Sequence, residues 1–101
     1  MTKDKAVMKK TYNSPLDKGI EKYVEILDGA GIETYESCEG GEGHAYPEPT
    51  IRFHGDSAEG FKALAVALQN NLPVSYLRRI WTVEDLQPVG PTWEIVFTRP
   101  S

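Results

Sequence analysis

A chain of 101 residues with one cysteine and a formal charge of −4 has the size of a single domain, residues 1–101, and its lone thiol excludes a scaffold of internal disulfides. No apolar run reaches the length of a membrane-spanning helix. The lysine-bearing start, residues 1–13, lacks the apolar core of a secretory signal and reads as a flexible basic segment, so a cytoplasmic setting without membrane attachment is expected.

The charge is unevenly placed. Six basic and three acidic residues stand in the first 22 positions, and five of each stand from Ile51 onward. Between them Glu25, Asp28, Glu33, Glu36, Glu39, Glu42 and Glu48 have no lysine or arginine among them. Such a block repels a phosphate backbone and attracts cations or a basic protein surface over a Debye length of about 8 to 10 Å. Nonspecific nucleic-acid binding is therefore not expected. A solvated acidic loop that only maintains solubility is the plainer account of the same block.

In chain order, Ser14-Pro15 reads as an N-cap followed by proline at the first helical position, with Asp17 in the first turn. Leu16, Ile20, Tyr23, Val24 and Leu27 recur at helical spacing, and Gly29 and Gly31 end the helix. A short strand over 32–38 enters the glycine-rich loop, which Pro47 and Pro49 close. Thr50 to His54 alternates, with Ile51 and Phe53 on one face and Arg52 and His54 on the other. Asp56 and Glu59 have capping-box spacing, with Ser57 as a competing cap. They introduce a second helix whose stripe is read as Phe61, Leu64, Ala65 and Leu68, stopped at Asn70, Asn71 and Pro73. Val74 to Val83 and Thr92 to Arg99 read as a hairpin separated by a turn-forming stretch, Glu84 to Pro91.

The order predicts an α+β fold of two αββ units, giving a four-stranded, mostly antiparallel sheet with both helices on one face. A weak internal repeat agrees with this: Gly19-Ile20 resembles Gly60-Phe61, and Pro49-Thr50 resembles Pro91-Thr92. Adjacent Arg78 and Arg79 should point to opposite faces of their strand, one of them free to meet the acidic loop. Trp81 and Trp93, with Tyr76 and Phe97, are read as packed across the last two strands. An open sheet of this kind leaves edges that pairing into a two-fold homodimer would cover.

The segment Ser37 to His54, SCEGGEGHAYPEPTIRFH, collects the cysteine, both histidines, three glycines and two prolines. Glycines there permit a tight exit and the prolines stiffen the return, a combination suited to a preformed ligand site. Cys38, Glu39, His44, Tyr46, Glu48, Arg52 and His54 are the candidate ligand-binding residues, with Cys38, His44, Tyr46, Arg52 and His54 expected to line one pocket. The ligand is read as a small molecule or a basic protein surface. No catalytic residue, metal ligand or cofactor is assigned. Cys38, His44 and His54 offer the alternative of a small cysteine- or metal-dependent enzyme. Against it, Glu36, Glu39 and Glu42 disfavour a thiolate, and the ligand spacing matches no zinc knuckle. A phosphate cradle at Gly40, Gly41 and Gly43 is set aside because the interleaved glutamates oppose an anion and no P-loop lysine follows.

The stretch GIETYESCEGGEGHAYPEPTIRFHG resembles a motif of small bacterial and phage-associated proteins, in which a strand enters Ser-Cys-Glu-Gly and Tyr-Pro-Glu-Pro precedes the next strand. The resemblance extends over the whole chain. It implies that Cys38, Glu39, Gly40, His44, Tyr46, Pro47, Glu48, Pro49 and Arg52 belong to one shared feature. It also admits an antidefence role in which an acidic face mimics nucleic acid and occupies a partner.

Overall fold

The computed structural model describes residues 18–99 and shows an α+β fold with the order α1 (Lys18–Gly29), β1 (Glu33–Cys38), β2 (Thr50–His54), α2 (Ser57–Gln69), β3 (Val74–Glu84) and β4 (Gln87–Phe97). The expected Ser14-Pro15 start, the Leu16 position and the basic segment 1–13 lie outside the described residues. No described helix is long and apolar enough to cross a membrane.

Helix α1 buries Ile20, Val24 and Leu27, the i, i+4, i+7 positions of its predicted stripe, while half-buried Tyr23 packs its ring 4.6 Å from that of Phe97. It ends as a glycine-terminated helix should. Gly31 takes φ +89°, and the amides of Gly31 and Ile32 donate to the carbonyls of Asp28 and Leu27 at 3.0 Å each, so that buried Ile32 turns into the core. Helix α2 starts where the capping box placed it: the Asp56 carboxylate accepts the Glu59 amide at 3.1 Å.

The apolar face of α2 differs from the predicted one. Gly60, Ala63 and Ala67 are its buried residues, whereas Phe61, Ala65 and Leu68 are exposed and Leu64 is half-buried. The cause is close packing. Trp93 stands up from β4 beneath the helix, donates its indole N–H to the Asp56 carbonyl at 2.9 Å, and occupies the space that larger side chains would need. Small residues at this position let the helix approach the sheet, and the larger apolar side chains are left on the outer side.

All strand pairs are antiparallel, in the order β1-β2-β4-β3. The helices share one face, where Ile51, Phe53, Trp93, Ile95 and Phe97 meet the α1 and α2 residues in a single core. The predicted turn over 84–91 is much shorter in the structure, because the strands continue to Glu84 and from Gln87, with only Asp85 and Leu86 between them at φ 51° and 64°. A two-residue loop with both positions left-handed is the hairpin turn that matches strand twist. Neither residue is the glycine or asparagine by which such a turn is usually recognised, which hid it in the sequence.

The two αββ units meet at β2 and β4 in a symmetric manner. The offset that carries Pro49-Thr50 onto Pro91-Thr92 also carries Arg52 onto Glu94, and these two residues are direct partners across the central ladder. On either side of them Ile51 pairs with Ile95 and Phe53 with Trp93, which the same offset interchanges. A local two-fold axis therefore passes through the Arg52–Glu94 pair.

A methyl group added at Gly60 would overlap the Trp93 indole. Gly60→Ala is expected to lower stability by about 1–3 kcal/mol, despite alanine's better helix propensity, through displacement of α2 from the sheet. Urea unfolding followed by tryptophan fluorescence measures it.

Candidate functional site: the helix-free face of the sheet

On the face opposite the helices, strand register alone lines up side chains from all four strands. Glu36 pairs with Arg52, Arg52 with Glu94, and Glu94 with Arg78, so one row of alternating charge crosses the whole sheet. On one side of it lies the row Cys38, Thr50, Val96 and Tyr76. On the other, the Tyr35 and His54 rings stack 4.4 Å apart, and the Tyr35 hydroxyl lies 2.9 Å from that of Thr92.

The charged row is built around Glu94, whose side chain is 2% exposed. Arg52 donates through Nε to one oxygen at 3.0 Å, and Arg78 donates through Nε to the other at 2.6 Å. Both lone-pair sites facing along the sheet are thereby used, as a buried carboxylate requires. Arg52 also reaches Glu36 at 3.5 Å. Burial disfavours the Arg52 charge. The hydrogen bond to Glu94 and the neighbouring Tyr46, Glu94 and Glu36 outweigh that penalty and hold the guanidinium charged above its ordinary range.

Aromatic rings flank both arginines. The Tyr46 ring centre lies 5.1 Å from the Arg52 guanidinium carbon, and that of Tyr76 lies 5.6 Å from the Arg78 carbon. Tyr46 arrives from the β1–β2 loop, which Gly40, Gly41 and Gly43 traverse with positive φ. At Gly40 the requirement is steric as well as conformational, since a side chain there would run into the backbone of Glu48 and Pro49. The loop is further closed by the Gly41 amide donating to the Pro47 carbonyl at 3.0 Å and the His44 amide donating to the Gly41 carbonyl at 3.1 Å.

The candidate residues of the loop segment divide among different partners. Tyr46 and Arg52 come together, joined by Glu36. Glu39 and His44 form a second group, with Nε2 3.4 Å from the carboxylate, while the other Glu39 oxygen accepts the Gly19 amide at the start of α1 at 2.7 Å. His54 is with Tyr35 instead of Arg52. Glu48 contributes its backbone carbonyl, which accepts the Thr50 hydroxyl at 2.8 Å. Cys38 is buried, and its Sγ accepts the Gly40 amide at 3.4 Å. No group of three or more His, Cys, Asp or Glu side chains among the described residues is placed to hold a metal ion.

Glu94, Arg78, Glu36, Tyr35 and Tyr76 were not among the candidates: Tyr35 and Glu36 stand on β1 just before the segment 37–54, and the others come from β3 and β4. The alternation of β3 does separate the arginine pair as expected: Arg79 turns to the helix side, where it covers the Trp93 ring at 5.1 Å and donates to the Ser57 hydroxyl at 3.0 Å. The four aromatic residues assigned to cross-strand packing split. Trp93 and Phe97 are core, whereas Trp81 and Tyr76 are exposed.

Comparison of the chain with protein-family models, with curated proteins and with solved structures returned no match.

Two predictions test this geometry. Glu94→Ala leaves Arg52 in a partly buried position without its main counter-charge, and a loss of about 3–5 kcal/mol is expected, read from urea or thermal unfolding. The Tyr46 hydroxyl is pushed up to about 12, first by burial and then by the Glu36 charge, against the weaker opposite pull of Arg52. Its folded-state value lies above the unfolded one, so the stability it contributes is complete below pH about 10 and is lost between about 10 and 12. Tyr46→Phe should flatten unfolding free energy in that window, and ultraviolet titration should lose a tyrosinate transition at about pH 12.

Proposed function

We propose that this chain is a protein-binding module that uses the helix-free face of its sheet and the acidic loop beside it to dock on a basic protein surface. The observation that carries this reading is the charged row with tyrosine rings on its arginines, lying on a face that neither helix covers. Tyrosine and arginine are enriched among the side chains that supply most binding energy at protein interfaces: each offers a large contact area with a polar end, and tyrosine has little rotamer freedom to lose. Here the guanidinium of Arg52 is fixed in advance between Glu94, Glu36 and Tyr46, so little ordering remains to be done on association. Exposed Glu33, Glu36 and Glu42 stand along the β1 edge and the loop and supply the sign that selects a basic partner.

A nucleic-acid-binding protein is one class of partner with such a surface. A cysteine-dependent reaction has less support, since Cys38 is buried with its sulfur engaged by the loop backbone. A metal-dependent one would need ligands from more than the groups described above.

The test uses a fluorescein-labelled lysine-rich peptide and a glutamate-rich counterpart, followed by anisotropy at low and physiological salt. Saturable binding of the lysine-rich peptide alone is expected, weakening as salt rises. The double variant Tyr35→Ala, Glu36→Gln should weaken it about tenfold with an unchanged circular dichroism spectrum. Equal binding of both peptides, or no effect of the double variant, overturns the proposal.

A further inference from the structure

The distal half of the β3–β4 hairpin extends past the sheet. Strand β2 pairs with β4 only from Trp93 to Val96, so residues 81–91 form a two-stranded ribbon, and among the described residues no strand pairs with the outer edge of β3. A two-stranded ribbon by itself is marginally stable in water. This one and its turn also carry strongly exposed apolar side chains: Trp81 is 62%, Val83 72% and Leu86 95% exposed. Leu86 holds a left-handed conformation that favours glycine or asparagine, so turn formation does not account for a leucine there.

We infer that the outer edge of β3 pairs antiparallel with β3 of a second copy of this chain, with Trp81 on the two-fold axis. The register follows from charge and shape. With Trp81 opposite its own equivalent, Arg78 of each copy stands opposite Glu84 of the other, Ile80 stands opposite Thr82, and Leu86 at the turn reaches the end of the pairing beside Tyr76. Residues directly opposed in an antiparallel pair share a face, and the two pairs within the strand, Arg78 with Glu84 and Ile80 with Thr82, have the required parity. Arg78 contributes Nε to Glu94 but remains 58% exposed, which leaves its outer end available for a carboxylate beyond the edge.

Edge arginines usually discourage strand pairing. Here both are redirected, Arg79 onto Trp93 and Ser57, and Arg78 between Glu94 and the opposing Glu84. The other sheet edge does not offer the same solution. Strand β1 has six residues, a register shift between Thr34 and Glu36, and carboxylates at Glu33 and Glu36 that a two-fold pairing would bring toward each other. Pairing through β3 joins two four-stranded sheets into one of eight strands and gives each ribbon a neighbour.

The full chain is examined by sedimentation velocity at micromolar to submillimolar concentration, together with Glu84→Arg and two cysteine variants. A dimer is expected. Glu84→Arg places arginine against Arg78 and should weaken dimerisation about tenfold, with an unchanged circular dichroism spectrum. Under oxidised glutathione Trp81→Cys should give a disulfide-linked dimer, because the introduced thiols face each other at the axis. Val83→Cys should not, because its symmetry mates stand four residues apart, roughly 13 Å along the strand. A wild-type monomer throughout the range overturns the inference. So does a dimer that Glu84→Arg leaves intact, or equal cross-linking of the two cysteine variants.

Discussion

Glu94 is the residue on which the rest of the sheet is organised. A carboxylate on a side chain this deeply buried survives only with its oxygens occupied, and the two occupants, Arg52 and Arg78, come from the strands on either side of β4. Their presence fixes register on both sides. A slip of one residue at either ladder would send an arginine to the core face and leave the carboxylate unpaired, so the alternatives nearest in geometry are the most costly in energy. The hydrophobic core rewards burial of Ile51, Phe53, Trp93, Ile95 and Phe97 in a less directional way, and the charged row supplies the directional part.

That row also connects fold to function. The guanidinium groups that complete Glu94 are the ones flanked by Tyr46 and Tyr76, so the same contacts that hold the strands together hold the proposed binding surface in one shape. The glycine-rich loop enters this scheme as a carrier for Tyr46. Its conformation is set by left-handed glycines and a backbone crossing at Gly40 that admits no side chain, and it returns to β2 through Pro49, whose carbonyl accepts the Phe97 amide at 2.9 Å.

Much of the fold was legible in the sequence, because it is written in local signals. The capping box at Asp56, the i, i+4, i+7 spacing of α1 and the alternation of Thr50 to His54 each report on a few neighbouring residues, and the element order then leaves few arrangements of an αββαββ chain. The failures share a cause. The inner face of α2 is marked by small residues, Gly60, Ala63 and Ala67, and a stripe of small residues is silent on a hydrophobicity pattern whereas Phe61 and Leu68 are loud. The turn at Asp85-Leu86 lacks the usual chemistry. The site was read from a motif local in sequence, which found Tyr46 and Arg52 and missed Glu36, Glu94 and Arg78, since those meet only through strand pairing. The repeat contained the missing clue: the offset seen in Pro49-Thr50 and Pro91-Thr92 carries Arg52 onto its own partner.

The local two-fold axis through Arg52 and Glu94 relates the halves in shape but inverts them in charge, since the same offset carries Glu36 onto Arg78. An αββ half associating with its own duplicate would set arginine against arginine at the axis, or glutamate against glutamate, inside a sheet. Each half is therefore a poor mate for itself and a good one for the other.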